Sequence, residues 1–453
     1  MLNPQSRRPI IERIPKRWLA ALAVLTVGLS PFLAVAQVTE PLLPAPPPPI
    51  LPQVPAPAQP IVPGQTVTDR PRPDFEPLGL QIGNFFWFPR AEVDETYNNN
   101  IFATSKATAS DLITVFQPRF DLLSDLPSNA INLHAAAALQ HYLGHSTQDT
   151  QDGFVGFDGR LDVTAASNFY GGAQIAQSHT PRTSPDSPGN AAEPVTFDSI
   201  TANAGYVQTG LRLGYQVELA VNSVRYNAVR LIGGGIAPQS SADVDVYQGV
   251  VRANYEIIPD YQGYIRFAEN VRIFPNGLIG VPSFNSQGYR ADLGLQILPR
   301  GLVYGEIYAG YLSQNFWVSS LGSISAPDAG GRVIWNVTRL TTLTLNASRA
   351  VNTTNPSIGN GTGYLTSVGA LNVDHELLRN VLLNANVGYE IDEFQGLSRT
   401  DNVFTAGAGV KYLVNRNLYL GGTYTYQQRS SSGTAAGSPY AQSIVMLRVS
   451  AQF

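Results

Sequence analysis

The side chains best suited to acid–base or metal chemistry are few in this chain and poorly spaced for it. Histidine occurs only at positions 134, 141, 145, 179 and 375. His141 and His145 would lie roughly 13 Å apart on a strand and flank Gly144 at an expected loop start, too far apart to share a metal ion. The absence of cysteine removes disulfides, thiolate metal sites and a Cys nucleophile together. No G-x-S-x-G elbow, G-x-x-x-x-G-K-[ST] loop or H-E-x-x-H pair occurs. The expectation is a protein that is not an enzyme and carries no cofactor. Charged residues, by contrast, recur at alternate positions: Asp158, Arg160 and Asp162, or Glu390 and Asp392. Two-residue spacing puts such groups on one face of a strand, where they hydrate and bond solutes rather than make covalent bonds.

The elements that must carry these faces are strands. Hydrophobic residues make up 43% of the 453-residue chain, mean hydropathy is −0.05, and no uniformly apolar run of membrane-helix length follows residue 36, which excludes a multi-helix membrane protein. Charged residues are only 14%, below the roughly 25% of soluble domains, as suits a sheet that is oily on one face and polar on the other. From Val381 to Asp392 the apolar Val381, Leu383, Ala385, Val387, Tyr389 and Ile391 alternate with a face holding Asn384, Asn386, Glu390 and Asp392. The pattern recurs at Tyr247–Ile257, Tyr289–Ile297 and Leu418–Tyr426.

Short turns are expected at Asp125–Asn129, Ser167–Asn168, Gln208–Gly210, Pro259–Asp260, Pro299–Gly301, Thr338–Arg339, Leu378–Asn380 and Asn415–Asn417. Longer Gly/Pro/Ser/Asn-rich loops are expected at Thr180–Pro194, Leu231–Asp243, Phe316–Asp328 and Asn352–Gly361. Short turns on one side and long loops on the other are the asymmetry of a transmembrane barrel. The fold class is therefore all-β: a transmembrane antiparallel up-and-down β-barrel of about 18 strands, spanning residues 84–453.

Ahead of it, Arg7, Arg8, Arg13, Lys16 and Arg17 precede an apolar stretch from Trp18 to Leu33 and the small-residue site Ala34-Val35-Ala36, a secretory signal over residues 1–36. Its removal takes away five positive charges and one negative, moving the formal net charge from −4 to −8, so no nucleic-acid partner is indicated. Residues 37–83 read as a Pro-rich periplasmic leader, disordered or in polyproline II. At the other end, Val445, Leu447, Val449, Ala451 and Phe453 share one face, an alternation closed by a terminal Phe that reads as the signal for the outer-membrane assembly machinery.

A barrel of 16–18 strands is wide enough for an aqueous channel. The polar faces that should line it carry Asp158, Arg160, Asp162, Arg212, Glu218, Arg252, Glu256, Arg266, Arg290, Asp292, Glu306, Glu390, Asp392, Lys411 and Arg448. Each could be a solute contact or half of a cross-strand ion pair, and with both signs interspersed no strong ion selectivity is predicted. Tyr255, Tyr261, Tyr311, Tyr389, Tyr412 and Tyr426 lie near strand ends, where aromatic rings meet the membrane interface.

The run Tyr97-Asn98-Asn99-Asn100-Ile101-Phe102-Ala103-Thr104, followed by Asp111, Pro118 and Ser124, and then Phe157-Asp158-Gly159-Arg160-Leu161-Asp162 and Gly171-Gly172-Ala173, resembles the outer-membrane barrels called β-barrel porin 2, found with exopolysaccharide biosynthesis and export genes. An acidic residue often follows the Tyr in that family; here Asn98 does. The resemblance covers essentially the whole barrel. It implies a pore in the outer membrane of a Gram-negative bacterium through which polysaccharide leaves, working with separate periplasmic and inner-membrane components, and it transfers no catalytic residues. Three functions stand open: a polysaccharide export pore, a passive porin for small hydrophilic solutes, and a plugged surface barrel with a structural or adhesive role.

Overall fold

The computed structural model describes residues 64–453 apart from 186, 279, 357, 358 and 360; the expected signal segment and residues 37–63 of the leader lie outside the described residues. Eighteen strands form the barrel: β1 (Phe85–Asn98), β2 (Asp111–Ser124), β3 (Ala130–Tyr142), β4 (Thr150–Thr164), β5 (Ser167–His179), β6 (Thr196–Gln208), β7 (Leu213–Tyr226), β8 (Val244–Ile258), β9 (Tyr261–Ile273), β10 (Ser286–Ile297), β11 (Val303–Phe316), β12 (Ser323–Thr338), β13 (Thr341–Thr353), β14 (Gly363–Leu378), β15 (Val381–Gln395), β16 (Thr400–Leu413), β17 (Leu418–Ser432) and β18 (Tyr440–Gln452). Each pairs antiparallel with the next. β18 returns to β1, from Arg90↔Gln452 to Asn98↔Ile444, and closes the ring. Closure gives every strand a partner on both sides over most of its length, so the sheet has no free edge strand.

Period-2 alternation sets what each face shows. On β9, Tyr261, Ile265 and Phe267 are exposed on the outside while Tyr264 and Arg272 are buried inside; on β18, Val445, Leu447 and Val449 point out while Ser450 is buried. This inverts a soluble protein: the large apolar side chains form the outer surface and the polar ones the interior. Tyr255, Tyr261, Tyr311, Tyr389 and Tyr412 are among the exposed outer-face aromatics.

Short turns alternate with longer loops throughout. Several boundaries differ from the sequence reading by a few residues, the β7–β8 loop starting at 227 rather than at Leu231 for instance, and two matter for the pairing. The turn placed at Ser167–Asn168 falls two residues earlier, since Ser167 already pairs with Thr164. The segment Phe316–Asp328 is not a loop: only Trp317–Gly322 connects the strands, and Ser323–Asp328 pairs with β11 from Asn315↔Ser323 to Gly310↔Asp328. That half of β12 is Ser-, Ala- and Pro-rich yet extended, and β13 joins it only from Gly331 onward. Pro327 is tolerated there because the strand is an edge above that point.

The described end of the leader runs from Gly64 to Asp74. It is a turn-rich strap packed along the inner rim at the short-turn end. Val67 donates its N–H to Thr342 Oγ1 at 3.0 Å, Arg379 reaches Pro71 O at 2.6 Å, Arg416 reaches Pro73 O at 2.8 Å, and Gln452 reaches Phe75 O at 3.5 Å. Leu80–Ile82 then folds back antiparallel on Phe85–Trp87. The strap was missed because its anchors are not proline: Val67 is 1% exposed, and Arg70 and Arg72 are buried against Glu376 at 3.1 and 2.7 Å. Burial pulls the Arg72 guanidinium below its ordinary value, with Glu376 opposing that shift. At Gly64, with φ +92°, a side chain would meet the Pro299 carbonyl, so only glycine fits where the strap begins.

Candidate channel lumen

The inward face is a sheet of polar side chains whose charges are mostly paired across strands. Arg252 on β8 reaches over the Tyr264 ring, 3.7 Å from its centroid, to Gln296 Oε1 at 2.7 Å and Glu306 Oε2 at 3.0 Å. Arg266 on β9 pairs with Asp292 at 2.6 Å and lies over Tyr308. Arg290 pairs with Asp328 at 2.7 Å. At the closure seam Arg448 on β18 spans to Asp94 at 2.6 Å and Glu92 at 2.9 Å on β1. Arg160 holds its strand neighbour Asp162 at 2.9 Å. Each pair removes two charges from the field that a passing solute meets.

Tyrosines lie flat where a glycine stands opposite. Tyr264 pairs with Gly294, Tyr170 with Gly205 and Tyr308 with Gly330. A Cβ on Gly294 would sit 2.2 Å from the Tyr264 ring. The glycine therefore provides the space in which the ring lies against the wall and supports the guanidinium above it.

Of the residues expected to line the channel, Asp158, Arg160, Asp162, Glu218, Arg252, Glu256, Arg266, Arg290, Asp292, Glu306, Glu390, Asp392, Lys411 and Arg448 lie on inward positions of their strands. Arg212 does not: it lies in the turn before β7, is exposed, and its carbonyl accepts the Glu256 N–H at 2.8 Å. A turn residue next to a predicted strand start has no alternation to fix its face. Among the others, Asp158 accepts from His134 at 2.9 Å, Glu218 from the Tyr170 hydroxyl at 2.7 Å, and Asp392 from Thr366 at 2.6 Å. Lys411 stands over Tyr419.

Several inward charges escaped the sequence reading: Glu92, Asp94, Arg119, Asp121, Asp328 and Arg332, with His134 bridging Asp121 and Asp158 at 2.7 and 2.9 Å. Their alternation was present. On β2 and β3, however, apolar Ile113, Val115 and Ala138 share the inward face and blur the contrast between faces. His141 and His145 go to different carboxylates, Asp149 and Asp111, and His179 to Asp152.

The long-loop end is roofed. The loop between β5 and β6 enters the mouth, where Thr183 O accepts from Arg429 of β17 at 3.0 Å, and Arg182 binds Gln148 Oε1 at 2.8 Å. The β7–β8 and β13–β14 loops meet through Asn355 Nδ2 and Gln239 Oε1 at 3.0 Å. The Thr183–Arg429 and Gln239–Asn355 contacts each join elements about a third of the circumference apart, so the roof crosses the opening instead of standing around it.

The Tyr97–Thr104 run is a clasp at the seam. Asn100, 1% exposed, donates to Thr104 O and Ala441 O at 2.8 and 2.9 Å, and Asn99 Oδ1 accepts the Ser443 N–H at 2.7 Å. The asparagines thus join the first loop to the last strand. Asn98 Oδ1 accepts the Asn100 N–H, a role an acidic residue could also fill. Val445, Leu447, Val449 and Phe453 are exposed on the outer face beside this seam, on the same strand face as Ala451.

A closed 18-strand barrel, apolar outside, polar and ion-paired inside, defines an outer-membrane channel. The family model described as "Putative beta-barrel porin 2" matches residues 72–453, and the chain belongs to that family. Its family and fold are those of channels rather than of catalysts. Among solved structures it is similar to OpdK from Pseudomonas aeruginosa (13% identity, TM-score 0.42, 81% of this chain and 99% of that one). It is also similar to OccAB3 from Acinetobacter baumannii (12%, 0.44, 82% and 100%) and to the ferric citrate transporter FecA (10%, 0.45, 80% and 63%). The chain thus spans less than two thirds of FecA. No curated protein matches the sequence. In the outer membrane the short-turn rim faces the periplasm and the roof faces outward.

Proposed function

We propose that the barrel is the outer-membrane pore through which an extracellular polysaccharide leaves the cell. The observation that carries this reading is the wall itself. Its arginines are mostly neutralised in pairs and several lie over tyrosine rings, so amides, hydroxyls and aromatic faces dominate the chemistry a solute meets, with a few charges of both signs, such as Glu256, Glu390 and Lys411, between them. A hydroxyl-rich chain can exchange hydrogen bonds along such a wall without being trapped by strong charge. In this reading a signal segment ending near Ala36 directs export, and the terminal alternation ending at Phe453 engages the assembly machinery. Separate periplasmic and inner-membrane export components are its partners in this reading.

A second reading, a passive porin for small hydrophilic solutes, draws on the family's description as a porin. The two separate in a strain lacking this chain. Loss of polymer from the medium, restored by the intact gene, is the expected result. Unchanged polymer, with uptake of small solutes reduced, would sink the export reading in favour of the porin.

A further inference from the structure

One buried cation in the lumen has no counter-charge. Arg272, at the outer end of β9, is 6% exposed and lines a cavity of about 80 Å³ beneath the roof. Nη2 donates to Val351 O at 2.7 Å, while Nε and Nη1 have no partner among the described residues. Arg272 enters no ion pair among those residues, whereas Arg252, Arg266, Arg290 and Arg448 each face a carboxylate. The remaining cavity wall is neutral: Asn222, Gln239, Asn352 and Thr354 supply amides and a hydroxyl beside Val246 and Phe274.

An isolated guanidinium out of water is strongly unfavourable unless an anion neutralises it, and a structural role is served by a fixed carboxylate at Arg252, Arg266, Arg290 and Arg448. Two donor nitrogens without protein partners, in a polar pocket large enough for more than one water, suit an anion that arrives and departs. One guanidinium without a second cation matches a single negative charge, and planar N–H donors match a carboxylate. The surrounding amides suit hydroxyls next to it.

We infer that the roofed cavity at Arg272 is a binding site for a carboxylate flanked by hydroxyls, either a free sugar acid or an acidic sugar unit of a longer chain. The site stands whether the barrel exports polymer or admits nutrients, because it rests on the cavity and not on the direction of transport.

The test is calorimetric titration of the full-length barrel, folded in detergent, with glucuronate, glucose and a trigalacturonate. Calorimetry reads binding without requiring conduction. Glucuronate should bind and glucose should not. In Arg272→Gln glucuronate binding should weaken by about tenfold or more, the loss expected for charge-assisted hydrogen bonds, and Arg272→Lys should retain part of it. Tighter binding of the trimer than of the monomer supports the polymer unit as ligand; tighter binding of the monomer supports the free acid. Equal binding of glucuronate and glucose by the parent, absence of glucuronate binding, or full binding by an Arg272→Gln barrel with the parent's heat-modifiable mobility would each overturn the proposal. Should Arg272→Gln fail to fold, Asn352→Ala takes its place, with weakened glucuronate binding expected and unchanged binding counting against the site.

Discussion

Arg266 is held by two forces at once, an ion pair with Asp292 and the face of Tyr308. Asp292 is 2% exposed, so removing the arginine leaves a buried carboxylate alone. Arg266→Ala should destabilise the barrel by about 3 kcal/mol, read as a lower midpoint in denaturant unfolding from detergent, and adding Asp292→Asn should recover most of that loss. Equal midpoints for parent and single variant would show that the pair does not support the wall. At this scale the sequence was readable wherever alternation was clean: the face of Arg252, Arg290 or Glu390 follows from position alone. Partners were not readable. Arg252 finds Glu306 three strands away, and the placement of Tyr264 over Gly294 depends on a register that no single strand encodes.

Strands and turns were legible because a period of 2 and turn-forming residues are local signals. The failures are also local in origin. Ser323–Asp328 looks like a loop by composition, yet backbone bonds to β11 extend it. Pro327 sits in β12 above the β13 contact, in a stretch with one unpaired side, whereas Pro89 joins the seam through its carbonyl alone, which accepts the Phe453 N–H at 3.1 Å. The strap was read through its prolines while its hold comes from Arg70, Arg72 and Glu376. Glu376→Gln removes the shared counter-charge of both arginines. It should open the strap to thermolysin at the buried Thr66–Val67 bond in the folded barrel, where the parent resists; equal resistance would mean that Val67 and the rim contacts suffice to hold it.

Across the whole molecule, access is set at both mouths: the strap at the periplasmic rim and the crossing loops outside. The β5–β6 loop is tied through Glu193, which takes Arg230 at 2.6 Å; that pairing holds the Glu193 carboxyl below its ordinary value of 4.5. With the folded value depressed, the tie is complete above the ordinary carboxylate range and is lost as pH falls through the lowered value. Pepsin should therefore cut the tied β7–β8 loop at Leu231–Ile232 readily near pH 2 but slowly near pH 5, while Glu193→Gln should be cut alike at both after correction for the enzyme's own pH profile. A parent equally protected at both would refute the clamp. By itself the sequence determined the barrel, its approximate strand number and its two faces, because alternation, turn chemistry and the need to pair every backbone amide act residue by residue along the chain. Only the tertiary structure decided which charges neutralise one another, that the strap packs along the inner rim and the loops cross the outer mouth, and that Arg272 is left without a counter-charge. Those outcomes depend on contacts between residues tens to hundreds of positions apart, brought together only when the ring closes.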